Sequence, residues 1–188
     1  MSTRGRKPDP SVDARIKQAT MTLMLAKGMD FTVDEVAEEA GVGRATVFRR
    51  YATKRDMLLE ALRQAMDVFV PTPDTGSLYG DLLVIVTHTL GAWRDPAMAR
   101  VSRQIFGEAG RDPAIAEVIR TSMRKRTEAD WAIFERAIAR GELSPDADLW
   151  LLADLVVGVA TYRGLLEKDQ ADPEALTAAL LRGFVSRM

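Results

Sequence analysis

Cysteine is absent from this 188-residue chain, so disulfides, cysteine-bound zinc and thiol nucleophiles are excluded together. Histidine occurs once, at His88, which rules out a histidine-rich metal cage. A Ser-x-Gly nucleophile elbow, a phosphate-cradling glycine loop and a histidine placed to activate a nucleophile are also missing. The chain is therefore not expected to be an enzyme, and no cofactor or metal is expected. Carboxylate-only chemistry is the one catalytic class that the composition leaves open. No run approaches the roughly 18 uncharged apolar residues of a membrane span, so no membrane partner is expected. The basic start, Met1-Ser-Thr-Arg-Gly-Arg-Lys-Pro, has no apolar stretch behind it. A secretory signal is not expected, and a cytoplasmic location is.

The composition describes a folded globular protein, with 47% hydrophobic and 28% charged residues. The net charge of −1 hides an asymmetry. Residues 1–63 hold twelve Lys/Arg against nine Asp/Glu, whereas residues 64–188 hold fourteen against eighteen. Charge separated along a chain suggests separated jobs, with the basic part facing an anionic partner.

Apolar spacing is helical almost throughout, and an all-α fold follows. Val12, Ile16, Ala19, Leu23 and Ala26 form one stripe over 11–27, which Gly28 ends. A second helix spans 33–40, with Thr32 and Glu35 in capping-box spacing. Gly41-Val42-Gly43 breaks it, and a short helix over 44–50 follows. Thr53 and Asp56 resemble the cap of a helix from Lys54 to about Val70. Pro71-Thr-Pro-Asp-Thr-Gly is the best linker. Further helices are expected over 77–93, from Pro96 to Glu108, as one long helix from Pro113 to Gly141, from Asp146 to about Glu167, and from Pro173 through Arg187. Each Asp-Pro pair suits a cap followed by a first helical turn.

A helix, then two short helices joined by a glycine turn, is the layout of a helix-turn-helix module. From Arg44 to Arg55 there are five basic residues and no acidic one, interleaved with Phe48 and Tyr51. Val47 and Tyr51, four apart, can anchor the short helix inward. Arg44, Thr46, Arg49 and Arg50 are then left to point outward. Arginine can bond guanine O6 and N7 in pairs, and a threonine methyl can rest on a thymine methyl. Arg4, Arg6 and Lys7 form a basic arm of the kind that reaches a minor groove or phosphates.

The stretch Phe-Thr-Val-Asp-Glu-Val-Ala-Glu-Glu-Ala-Gly-Val-Gly-Arg-Ala-Thr-Val-Phe-Arg-Arg-Tyr-Ala-Thr-Lys-Arg-Asp-Met-Leu, from Phe31, resembles the DNA-binding signature of the TetR/AcrR transcriptional regulators. The resemblance covers residues 10–60. It implies that Thr32 and Lys54 touch phosphates and that Arg44, Ala45, Thr46 and Arg49 face the bases. It also implies that Phe48 and Arg50 hold the DNA backbone. Phe48 stands where tyrosine is usual and Gly43 where serine is frequent, so two expected polar contacts are altered. The implied division is a DNA-binding domain over 1–53, completed by the start of helix 54–70, and a helical ligand-binding and dimerisation domain over 54–188.

Two-fold dimers read two half-sites, so a dimer surface is expected. The last two helices are apolar over more than one stripe. Leu152, Val156 and Val159 are interface candidates, with Gly164 small enough for close approach. Leu180 and Phe184 add to them, and the resemblance implies pairing as a four-helix bundle. Pocket candidates on the middle helices are Phe69, Ile85, Val86, His88 and Thr89. Trp93, Val101, Ile105, Met123 and Trp131 complete that neighbourhood, since methionine and aromatic residues suit adaptable apolar sites. The function expected is a sequence-specific repressor of double-stranded DNA, released from a palindromic operator by a small, largely apolar effector. The alternative is a DNA-binding regulator without a small-molecule ligand. An apolar cavity favours the first and a solid core the second.

Overall fold

Side-chain caps mark the start of most of the helices. The computed structural model describes residues 10–66 and 71–184, which are helical with no strand among them. The order is α1 (Pro10–Lys27), α2 (Val33–Glu39), α3 (Arg44–Phe48), α4 (Lys54–Met66), α5 (Leu78–Arg94), α6 (Pro96–Ala109), α7 (Pro113–Ala129), α8 (Trp131–Ala139), α9 (Leu149–Leu165) and α10 (Pro173–Phe184). Arg4, Arg6, Lys7 and Phe69 lie outside the described residues, as does the side chain of Phe184. Thr32 and Glu35 close the expected capping box on α2. Thr53 and Asp56 exchange the same pair of bonds, at 3.1 and 3.0 Å, at the start of α4. Asp95 and Asp112 cap α6 and α7 through the amides of Met98 and Ala114.

Two expected boundaries move. The single helix over 113–141 is broken at Asp130 into α7 and α8. The Thr72 hydroxyl donates to the Ala129 carbonyl at 3.1 Å, and the buried Asp130 carboxylate pairs with Arg126 at 3.1 Å. Burial pushes the Asp130 carboxyl up from its ordinary value. The cap of α9 is Asp148 rather than Asp146, because Ser144 holds residues 144–147 in a turn.

Three groups of buried side chains organise the chain. The first joins Ile16, Leu23 and Met24 of α1 to Phe31, Val36, Val47 and Met57, with Val101 reaching in from α6. The second joins Leu82, Val86 and Leu90 of α5 to Ile133 and Phe134 of α8, Leu152 and Val156 of α9 and Leu180 of α10. The third is small: Leu59 and Leu62 against Ile115 and Val118 of α7. Helix α4 therefore serves two cores. Met57 and Ala61, four apart, enter the first, while Leu59 and Leu62, three apart, enter the third. Burying each such leucine is worth about 1.5–3 kcal/mol, so α4 is held from both sides.

The turn after α1 is a second junction. Gly28 takes φ +67°, the left-handed conformation that glycine adopts without penalty. A Cβ there would collide with the Gln104 amide. Gln104 Oε1 accepts from the Met29 amide at 2.7 Å, and Arg100 donates to the carbonyls of Leu25 and Ala26. Helix α6 thus grips the C-terminal end of α1.

Candidate nucleic-acid interface

The second helix of the pair presents one edge to solvent because its opposite edge is anchored. Val47 is 1% exposed within the first core, and Val36 and Ala37 fix α2 beneath it. Gly41, at φ +62°, makes the turn between the two helices. Arg44, Ala45, Phe48 and Arg49 are then exposed, with Thr46 half-buried beside them. Arg49 donates to Thr46 Oγ1 at 2.9 Å. Arg44 donates from Nη1 to Asp34 Oδ2 at 2.8 Å, and its Cζ lies 5.3 Å from the centre of the Phe48 ring. Gly43 is the N-cap of α3 and offers no side-chain oxygen to its amides. The structure therefore brings Arg44, Ala45, Thr46, Phe48 and Arg49 together on one short helix end. Thr32, also exposed, stands at the start of α2.

Two of the cations expected at phosphates also bond within the chain. Arg50 is only 16% exposed and pairs with Asp13 of α1. Its guanidinium ties the end of α3 to α1. Lys54 donates to the Met29 carbonyl at 2.7 Å, and its ammonium stands 4.6 Å from the centre of the Phe31 ring. Nearby, Lys17 and Glu60 pair at 2.6 Å, which raises the lysine and lowers the glutamate from their ordinary values. Burial pushes the Tyr51 phenol up. Lys27 and the Thr32 backbone and hydroxyl hold the Glu35 carboxyl at about 2. Asp34 is the contributor that the sequence reading missed. Its only signal was an acid in the first turn of α2, across the glycine turn from Arg44.

Residues 16–61 match the family model for bacterial regulatory proteins of the tetR family, and residues 72–182 that for the tetracyclin repressor-like C-terminal domain. The second match alone spans more than half of the chain. The chain belongs to the TetR family. YdeS, an uncharacterised HTH-type transcriptional regulator of Bacillus subtilis, is 29% identical over 186 residues, covering 97% of this chain and 93% of its own. A TetR regulator of Haloarcula marismortui superposes with a TM-score of 0.77 at 18% identity, over 95% of this chain and all of its own. FadR of Bacillus subtilis, solved with stearoyl-CoA, gives a TM-score of 0.67 at 18% identity, over 94% of this chain and 99% of its own. As a TetR-family member the protein is a DNA-binding transcriptional regulator.

One cavity of this TetR-family chain lies beside the DNA-binding core. A cavity of about 220 Å³ lies where α1, α4, α6 and α7 meet. Met24, Met29, Leu58, Leu59, Leu62 and Ile115 supply its apolar lining; Arg55, Glu108 and Asp112 supply the polar part. Of the expected pocket residues that are described, Ile105 alone lines it. Val86 and Val101 are buried in the second and first cores, and Ile85 packs against the second. Trp93 stacks on Phe106 at 5.9 Å, and Trp131 packs between Phe134 at 6.2 Å and Trp150 at 5.6 Å. Thr89 donates to the Ile85 carbonyl at 2.9 Å, Met123 is half-buried on α7, and His88 is exposed on α5. Val86, Val101, Trp93 and Trp131 thus pack against other side chains of the same chain.

Several of the expected dimer residues also pack within the single chain. Leu152, Val156 and Leu180 are buried in the second core of a single chain. Gly164 is buried too, and a Cβ there would collide with the Trp93 indole. Val159 is half-buried. The apolar face that α9 leaves uncovered carries Leu151, Leu155, Tyr162, Leu165 and Leu166, with Gly158 between them. Among the described residues no cluster could hold a metal ion, and no helix is long and apolar enough to cross a membrane.

Proposed function

We propose that this TetR-family protein is a cytoplasmic repressor that binds a palindromic operator as a homodimer and leaves it when a small, largely apolar ligand binds. No catalytic role is part of this reading. Residues 1–53 with the start of α4 engage DNA, and residues 54–188 sense and dimerise. The observation that carries the reading is the exposed edge of α3, where Arg44, Thr46 and Arg49 stand clear of the Val47 anchor. Such an edge fits a major groove, with two copies meeting half-sites about 34–36 Å apart or a multiple of that. The uncovered α9 face supports self-association, because Leu151, Leu155, Tyr162 and Leu165 form one stripe at helical spacing. Ligand control is supported by the cavity at the α1–α4–α6–α7 junction, which reaches both the DNA-binding core and α7. Its volume exceeds the roughly 150 Å³ that suffices for benzene. FadR of Bacillus subtilis, a solved neighbour of this fold, was crystallised with stearoyl-CoA, whose acyl chain is apolar.

The test is a footprint on the promoter beside the gene for this protein, followed by titration of that operator in the presence of small apolar compounds. Two protected half-sites related by a two-fold axis, lost when a compound binds, are the expected result. Protection without symmetry, or operator binding indifferent to every compound that binds the protein, counts against the proposal.

A further inference from the structure

We infer that Asp34 is a positioning residue for base readout: with the Phe48 ring, its carboxylate holds the Arg44 guanidinium as a reader of guanine. This rests on the reading of α3 as the recognition helix. Arg44 is the first residue of α3 and Phe48 the last, so their side chains share one face of the helix. The guanidinium carbon sits 5.3 Å from the Phe48 ring centre, within cation–π range. Asp34, in the first turn of α2, takes the Nη1 hydrogen bond at 2.8 Å. Arginine has five donors in a rigid fork, and among the described residues no other acceptor engages this guanidinium. The Nε–Nη2 edge therefore remains for guanine O6 and N7, while the ring and the carboxylate restrict the rotamers of a long side chain. Both partners are surface groups, Arg44 62% and Asp34 60% exposed, so the pair contributes little to folding stability. A carboxylate on a DNA-facing surface also opposes phosphate binding, which makes Asp34 costly for affinity and useful for selectivity.

The experiment uses the full-length protein and a randomised double-stranded DNA library at fixed salt. Wild type, Arg44→Ala, Asp34→Ala and Asp34→Glu are selected in parallel. The guanine preference that disappears in Arg44→Ala marks the base this arginine reads. Each protein is then titrated on the selected operator, on that operator with the guanine replaced by adenine, and on unrelated duplex. In Asp34→Ala the guanine-to-adenine affinity ratio is expected to fall roughly tenfold, within the range of one bidentate contact. Its affinity for unrelated duplex should hold or rise, because a negative charge has left the surface. Asp34→Glu should recover part of the ratio. A purely structural effect on α2 would weaken all three duplexes together and lower the melting temperature, leaving the ratio intact. A ratio within about twofold of wild type in Asp34→Ala overturns the inference while the recognition helix stands. If Arg44→Ala keeps the guanine preference, the assignment of α3 as reader fails, and the inference falls with it.

Discussion

Arg55 and Asp112 are joined by two hydrogen bonds of 2.6 Å, Nε to Oδ2 and Nη2 to Oδ1. The bridge ties the first turn of α4 to the cap of α7. Asp112 also accepts from the Ala114 amide at 2.8 Å, so one carboxylate closes a helix and clasps its neighbour. Both residues line the cavity at this junction. The segment that follows α3 and the start of α7 are thus fastened together beside this cavity.

This clasp makes stability depend on acid. Arg55 is the largest influence holding the Asp112 carboxyl at about 2, well below the ordinary carboxylate range. A lowered pKa contributes stability that is full above the unfolded value near 4 and is lost as pH falls toward 2. Glu35, held at about 2 by Lys27 and by the Thr32 cap, acts in the same window. Thermal unfolding between pH 6 and pH 2 should show the midpoint dropping below about pH 4. Asp112→Asn should lower the midpoint at neutral pH and flatten that acid limb. Asparagine keeps the capping ability, so the change isolates the ion pair from the cap. An acid limb identical to wild type would show that the clasp contributes nothing.

The sequence carried the parts of this fold that are made locally. The caps Thr32, Asp95 and Asp112 and the turn glycines act within a few residues of themselves, so their spacing was enough. The break at Asp130 was not readable, because Thr72 on the distant linker takes the carbonyl beside it. Arg50 and Lys54 looked free for the same reason: Asp13 and the Met29 carbonyl meet them only in three dimensions. Helix α9 is apolar nearly all round, so periodicity could not choose which stripe faces its own chain. Trp93 against Gly164 settles that choice. The cavity was out of reach because it is defined by what four helices fail to fill.

Cations of the recognition region should divide into two classes by phenotype. Arg44→Ala and Arg49→Ala leave the first core untouched and should each cost about 1–3 kcal/mol on the specific operator, with relaxed base preference. Arg50→Ala removes a mostly buried partner of Asp13 and should lower the unfolding midpoint, with Asp13→Ala doing the same. Gel-shift titration beside thermal melting separates the classes. If Arg50→Ala melted like wild type yet lost operator binding, Arg50 would belong to the DNA surface after all.

Self-association and folding should likewise separate along α9. Leu155→Glu and Tyr162→Glu alter side chains exposed in the single chain, so they should leave helicity intact while producing a monomer. Gly164→Ala should instead destabilise by about 1–3 kcal/mol, because the new methyl meets the Trp93 indole and the core must shift. Sedimentation at micromolar concentration and urea unfolding report the two effects independently. A dimer that survives both glutamate substitutions would place the interface elsewhere.

Ligand release should follow the cavity rather than the tryptophans. A compound bound among Met24, Leu59 and Ile115 touches α1, α4 and α7 at once, so it can favour one placement of α4 over another. Coupling of about 1.4 kcal/mol between ligand and DNA is enough for a tenfold loss of operator affinity. Linkage makes this reciprocal, so operator DNA must weaken the ligand by the same factor. Leu58 lines the cavity and is only half-buried, so Leu58→Trp can fill the space without emptying a core. The variant should keep operator affinity, lose ligand affinity and remain on DNA at ligand concentrations that release wild type. Isothermal titration of the ligand with and without operator, on both proteins, measures every leg of the cycle. A Leu58→Trp protein that still binds the ligand tightly and still lets go of DNA would place the effector outside this junction.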